Sequence, residues 1–220
     1  MVRPQAASPS SREKILEVAE AHFARRGFSG VGLRELAQAA GLGKSSLFHH
    51  FAGKSQLYFE VLERVLARIQ VRLAAALARP GAPLARLEGW VDALVDALAE
   101  HPASARLLLR GLVEDEDFPD EPLHEAQRAE QLLGEILQGI HALLREGIER
   151  GDFRRLSVPD TVQTLIGATV YHFASGELGE SIMGGPLLSS EAVRRRKQEL
   201  RQLLHQGLAA GAADPGLRRG

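Results

Sequence analysis

The chain has 220 residues, of which 45% are hydrophobic and 25% are charged, and this balance is typical of a folded globular protein. It contains no cysteine, which excludes disulfide bonds, zinc sites with thiolate ligands and catalysis by a cysteine nucleophile. No stretch reaches the roughly 18 apolar residues of a membrane span, and residues 1–11 lack the apolar core of a signal peptide, so a cytoplasmic location is expected.

Charge is divided unevenly along the chain, although the net charge of the whole is only -1. Residues 1–56 carry eight Lys and Arg against four Glu, a net charge of +4, whereas the remaining 164 residues carry 19 against 24, a net charge of -5. This asymmetry favours a polyanionic partner for the first quarter of the chain.

Apolar residues recur at spacings of three and four, aromatic residues are few, and sustained alternation is missing, so an all-α protein is predicted. Ser10 and Glu13 have the spacing of a capping box at the start of the first helix. Nine helices are expected, at about residues 10–26, 33–40, 44–50, 54–78, 84–100, 103–114, 121–150, 162–173 and 189–208. An acidic loop, Glu114–Asp120, precedes the seventh helix.

The second and third predicted helices are joined by the short turn Ala40–Gly43, which is the geometry that sets one helix steeply across another. One small core is expected beneath them, made of Leu33, Leu36, Ala37, Ala40, Leu42, Leu47 and Phe51. The opposite face of the third helix carries short donors and cations, which suit the DNA major groove: Lys44, Ser45, Ser46, His49 and His50.

The segment from Gly27 to Phe51, followed by Gly53–Leu57, resembles the DNA-binding domain of TetR-family (tetracycline-repressor-like) regulators, and the resemblance covers residues 9–69. It implies a helix-turn-helix over about residues 33–52, with Lys44–His50 as the recognition helix. By the same resemblance, Arg34 and Lys54 meet phosphates at helix starts, and the DNA-facing residues are Lys44, Ser45, Ser46, Phe48, His49 and His50.

Four positions depart from the pattern of the family. Gly32, Gly43 and Gly53 stand where a capping side chain is usual, so phosphate contacts there fall to backbone amides. Phe48 stands where tyrosine is common, which removes a phenolic hydrogen bond.

The resemblance also implies a ligand-binding and dimerisation domain over residues 70–212, joined to the first domain by the long fourth helix; residues 1–8 and 213–220 are expected to be disordered. A homodimer reading a palindromic operator is expected, with the eighth and ninth predicted helices forming the interface because each has a continuous apolar face and no obvious internal partner. Polar groups in apolar surroundings are the candidates for contacts to a small-molecule effector: Trp90, Arg110, His141 and His172.

The predicted function is therefore that of a DNA-binding transcriptional regulator, a repressor that responds to a ligand. Two alternatives stay open: an architectural DNA binder of the same fold without an effector, whose C-terminal bundle would be packed solid, and a helical-bundle enzyme with a histidine base. The enzyme would need a nucleophile or a metal set converging on a histidine, and neither is recognisable in the sequence. No catalytic residue, metal or cofactor is expected.

Overall fold

Ten α-helices form the part of the chain that the computed structural model describes, residues 10–113 and 124–210. They are α1 Ser11–Arg26, α2 Leu33–Ala39, α3 Lys44–His50, α4 Lys54–Leu77, α5 Pro83–Glu100, α6 Pro102–Val113, α7 His124–Glu149, α8 Val158–Ala174, α9 Gly176–Met183 and α10 Ser190–Leu208. The predicted all-α class is confirmed. The termini expected to be disordered and the acidic loop Glu114–Asp120 lie outside the described residues.

Local chemistry accounts for several of the helix ends. Ser10 Oγ accepts from the Glu13 amide at 3.2 Å while Glu13 Oε2 accepts from the Ser10 amide at 2.7 Å, so the predicted capping box is present at α1. The hydrogen bond from the Ser10 amide to the Glu13 carboxylate is the largest cause that lowers the pKa of Glu13. Pro102 stops α5, because the residue before a proline is driven from helical angles, and it starts α6.

The prediction of nine helices was wrong by one, because α9 was missed. Gly179 is the only buried residue of this eight-residue helix, and Leu178 and Ile182 are exposed. At eight residues, α9 is shorter than the window of about 11–18 residues over which a helical period can be recognised, although Leu178 and Ile182 are four residues apart. The expected ninth helix is therefore α10.

Helix α4 runs through both halves of the molecule. It packs against α1, α5 and α7. Its contacts with α7 run from Gln56, which donates to Glu125 at 3.0 Å, to Gln70, which donates to Glu135 at 3.2 Å. Residues Leu57, Val61, Val65, Ile69 and Leu73, spaced by four, are all buried along its length. The predicted boundary between the two domains, at residues 69 and 70, falls inside this continuous helix and stays a prediction.

Candidate DNA interface and effector cavity

The turn between α2 and α3 is built around Gly41, whose φ of 71° lies in the left-handed region that favours glycine. The Leu42 amide donates to the Ala37 carbonyl at 2.8 Å and the Gly41 amide donates to the Gln38 carbonyl at 3.0 Å. These two bonds form a Schellman motif, which ends α2 and turns the chain into α3.

The core predicted beneath the two helices is confirmed. Leu36, Ala37, Leu47 and Phe51 are buried, and the other three predicted members pack partly buried against the same cluster. Because the buried side chains hold α3 by one face, its opposite face is directed outward.

Six of the eight residues predicted to contact DNA belong to α3. Ser45 and His49 are exposed, Ser46 and His50 are half-buried, and Phe48 is 43% exposed, which is unusual for an aromatic side chain in a small folded domain. Lys44 begins α3, and nothing is described of its side chain. Arg34 lies exposed in the first turn of α2.

Lys54 makes contacts that the sequence did not suggest. Its Nζ donates to the Val31 carbonyl at 3.1 Å and lies 4.3 Å from the centre of the Phe28 ring, a cation–π distance. The ammonium thus ties the start of α4 to the loop before α2. A phosphate contact from its remaining donors stays a prediction.

Three helices of this region begin at glycines, as the sequence indicated. Gly32, Gly43 and Gly53 are the N-caps of α2, α3 and α4, and none of these ends has a side-chain capping bond. The first amides of each helix are therefore not capped by a side chain, and such amides are suited to phosphate oxygens.

The one acidic side chain of α2 is neutralised locally. Arg26 donates to Glu35 at 2.5 Å, and this hydrogen bond holds the pKa of the Glu35 carboxyl below its usual range. The negative charge nearest α3 in the helix-turn-helix is therefore balanced by a cation from α1.

The second candidate site is a cavity of about 100 Å³ lined by α4, α5, α6, α7 and α8. Its lining consists of apolar side chains and one glycine: Leu62, Leu66, Ile69, Leu73, Trp90, Leu94, Leu108, Gly111, Leu133, Ile136, Ile166 and Val170. Such a lining suits hydrocarbon and offers no ionic contact.

Of the four residues predicted to bind a ligand, the structure places only Trp90 in this lining. Arg110 belongs to α6 but lines a surface cleft on the side of α1, and His141 is half-buried on α7 outside the lining. His172 is buried on α8, also outside it. A helix presents residues to several neighbours at once, and the sequence did not show which neighbour each polar residue faces.

His172 has surroundings of its own between α8 and α10. Burial, followed by the positive charges of Arg196 and Arg195, lowers its pKa to about 4. Arg196 is half-buried there and donates to the Ala168 carbonyl at 2.9 Å. The imidazole is therefore neutral at pH 7.

Polar contacts join α1 to the C-terminal bundle. Glu20 of α1 accepts from Arg68 of α4 and from the Ser104 hydroxyl of α6, each at 2.8 Å, and Arg68 also donates to Ser104 at 2.7 Å. On the next turns of α6, Arg110 donates to the carbonyls of Ala24 and Arg25 at 3.3 and 3.4 Å.

The sequence missed these contacts between α1 and α6. The residue pairs are about 85 positions apart, and a single sequence holds no signal of which distant helices meet. Since Leu108 and Gly111 of α6 line the cavity, α6 connects the cavity directly to α1.

Helices α8 and α10, predicted to form a dimer interface, do have internal partners, so that part of the reasoning was wrong. α8 packs against α6, and α10 packs against α5. Two ion pairs, Lys197 with Asp96 and Arg201 with Asp92, and a contact of His205 with Glu88 join α10 to α5. Each helix nevertheless keeps apolar side chains at the surface. Exposed large apolar residues of α8 to α10 and the loop before α10 are Tyr171, Leu178, Ile182, Met183, Leu188 and Leu203.

Within residues 10–113 and 124–210, no three His, Asp or Glu side chains converge as a metal site requires. None of the helices described is long and apolar enough to cross a membrane.

Comparisons with known proteins agree with this geometry. The family model described as "Bacterial regulatory proteins, tetR family" matches residues 15–61, and the one described as "Tetracyclin repressor-like, C-terminal domain" matches residues 83–204. The HTH-type transcriptional repressor SCO4008 of Streptomyces coelicolor is 28% identical over 187 residues, which cover 84% of this chain and 90% of that protein.

Two solved structures share the fold. The ketosteroid transcriptional regulator KstR2 of Mycobacterium tuberculosis has a TM-score of 0.72 at 25% identity, covering 94% of this chain and 99% of its own. The Bacillus subtilis regulator FadR, solved with stearoyl-CoA, has a TM-score of 0.66 at 16% identity, covering 87% of this chain and 96% of its own.

Proposed function

The chain belongs to the TetR family of bacterial transcriptional repressors, and from this premise we propose that it binds a palindromic DNA operator as a homodimer and releases it when a small apolar effector enters the C-terminal domain. A regulator rather than an enzyme is what the family and its relatives indicate.

The observation that carries the DNA-binding proposal is the outward face of α3. Ser45, Phe48 and His49 are exposed on a helix whose inner face is fully buried, and Lys44 begins that helix. A seven-residue helix reads only a few base pairs, so useful specificity needs two copies whose centres are about 34–36 Å apart, or a multiple of that distance.

The homodimer proposal is supported by the exposed apolar residues of α8 and α10. Leu203 is 61% exposed on α10, and it borders a groove between these two helices that is lined by Leu165, Leu200, Leu204 and Leu208, among others. Apolar surface gathered on one side of a molecule is typical of a protein interface. Leu203→Glu should therefore convert the dimer to a monomer in analytical ultracentrifugation, whereas Val71→Glu, at an equally exposed site on α4, should not.

The effector proposal is supported by the cavity, since a bundle packed solid would have favoured the architectural alternative. FadR was solved with stearoyl-CoA, whose chain is hydrocarbon, but similarity at 16% identity extends to the fold alone. The apolar character of the effector is therefore inferred from the lining of this cavity.

The effector acts in this proposal by stabilising one arrangement of α6 and α4. It can shift the repressor toward the non-binding state only by the difference between its affinities for the two states. Arg110 and Ser104 connect α6 to α1, so movement of the cavity wall changes the separation of the two α3 helices in the dimer.

The test is binding-site selection from random duplex DNA with the purified full chain, followed by release of the selected DNA with a panel of metabolites. We expect an inverted repeat to be selected. The double variant Lys44→Ala, His49→Ala should weaken its binding at least tenfold, and the slope of log affinity against log salt should fall by about 0.9 for each phosphate that the variant no longer neutralises.

Arg79→Ala is the matched control, because Arg79 is an exposed cation just after α4, far along the chain from the helix-turn-helix. Failure to select an inverted repeat, or equal affinity of the double variant and the control, would overturn the DNA-binding proposal. If no metabolite released the DNA, the architectural alternative would replace the effector-controlled repressor.

A further inference from the structure

A second cavity lies directly outside the first and shares a wall with it. This outer cleft, of about 370 Å³, runs between α4 and α7, and Leu73, Trp90 and Ile136 line both spaces. The inner cavity alone holds only a fragment of a typical ligand. Taken together, the two volumes fall within the roughly 300–1,000 Å³ of small-molecule sites.

Trp90 is the polar exception in this wall. The side chain is only 1% exposed, and its indole Nε1 is buried and donates to no acceptor among the residues that the structure describes. Buried donors in native proteins are almost always paired, and an unpaired donor costs free energy that a bound acceptor would recover.

The inner cavity cannot supply that acceptor from a side chain, because every side chain in its lining other than that of Trp90 is a hydrocarbon. The outer cleft is different at its rim. Gln70 of α4 donates to Glu135 of α7 at 3.2 Å, and Gln131 donates to the other carboxylate oxygen at 3.1 Å. The bond from Gln70 crosses the mouth of the cleft from α4 to α7, whereas the bond from Gln131 lies within α7. Both bonds are exposed, so water competes with them.

From this arrangement we propose that the effector enters between α4 and α7 and is a mainly hydrocarbon molecule whose one carbonyl oxygen accepts a hydrogen bond from Trp90 Nε1. This inference rests on the proposed function of the cavity as the effector site. Trp90 thereby favours those apolar molecules that carry an acceptor where the inner cavity meets the outer cleft, over molecules of similar size that lack one. The hydrocarbon on either side fills the inner cavity and the outer cleft.

A matched pair of probes tests the hydrogen bond. 2-Decanone and 2-methyl-1-decene have nearly the same shape, and only the ketone has an acceptor. Calorimetric titration of the full chain should show the ketone binding about three- to tenfold more tightly, which is the usual range for one neutral hydrogen bond. Trp90→Phe keeps an aromatic ring without the N–H, so the preference should disappear in that variant.

A second measurement needs no variant. Trp90 is the only tryptophan of the chain, so the ¹H–¹⁵N spectrum contains one indole cross-peak. The ketone should move the indole proton downfield, and the alkene should not. If both probes bind with equal affinity and give the indole proton the same chemical shift, the hydrogen bond is refuted while the apolar site stands. If neither probe binds, the effector site itself is refuted.

The entry route is tested by two neighbouring alanines on α4. Ala74 lines the outer cleft and Ala75 does not, and both are exposed. Ala74→Phe should slow the association of 2-decanone at least tenfold, whereas Ala75→Phe should leave the association rate unchanged. The rate is measured by the quenching of Trp90 fluorescence in a stopped-flow mixer. Equal rates for the two variants would refute entry between α4 and α7.

Discussion

The cluster formed by Glu20, Arg68 and Ser104 offers a sharp test of how the two halves of the molecule are joined. Glu20→Gln preserves the shape of the side chain but leaves the Arg68 guanidinium without its counter-charge. Loss of one partner from a buried ion pair costs about 3–5 kcal/mol. Because 22% of the Arg68 side chain reaches solvent, we expect the free energy of unfolding to fall by about 3 kcal/mol, the lower end of that range.

Glu17→Gln is the matched control on the same helix. Glu17 is 59% exposed and pairs with Arg64 of α4 at 3.7 Å, and surface pairs of this kind contribute about 0–1 kcal/mol. Both variants should be compared with the parent chain by urea unfolding at pH 7 and one protein concentration, since dissociation of a dimer would contribute to the result.

The same cluster connects α1 to α6, so Glu20→Gln should also weaken the coupling between effector and operator, measured as the ratio of operator affinities with and without effector. Ser104→Ala removes a hydroxyl but keeps the direct contact between Glu20 and Arg68, and it should cost about 1.5–3 kcal/mol. If Glu20→Gln were no more destabilising than Glu17→Gln, the cluster would not hold the two halves together.

Two further predictions concern the C-terminal bundle. Burial lowers the pKa of His172 from 6.5 to about 4. The stability that its neutral imidazole contributes to the folded state is therefore fully present above pH 6.5 and is lost as the pH falls toward 4. The free energy of unfolding should fall by about 2 kcal/mol between pH 7 and 5. His172→Gln should flatten that slope in urea titrations at each pH, and an unchanged slope would contradict the assignment. On α7, a Cβ at Gly147 would overlap the Phe153 ring, so Gly147→Ala should lower stability by about 1–3 kcal/mol. A Cβ at Gly134 meets nothing, so Gly134→Ala should raise the melting temperature, and equal effects of the two alanines would refute the packing argument.

The helix-turn-helix was predictable in detail because its signals are local. The glycine-containing turn Ala40–Gly43 and the small core with Ala37 and Leu47 were predicted from neighbouring residues, and the structure contains both. The left-handed φ of Gly41 was a further finding of the structure. Lys54 was less predictable, since its contacts to Val31 and Phe28 depend on how the loop before α2 folds back on α4.

The effector site was predictable only in part. Trp90, chosen as a polar group in apolar surroundings, does line the inner cavity, and its contact with an effector stays a prediction. Arg110 and His172 are also polar residues beside apolar ones, and the sequence could not distinguish a residue facing the cavity from one facing α1 or α10.

The amino-acid sequence by itself determined the helical class, the helix-turn-helix and the outward face of α3, because hydrophobic period, capping chemistry and turn glycines act over a few residues. Only the tertiary structure decided that α6 touches α1, that the interior of the bundle is a hydrocarbon-lined cavity, and that Trp90 lies between it and the outer cleft. Those features depend on which helices pack together and at what angle, and the free energy that selects among such packings is spread over contacts between residues far apart in the chain.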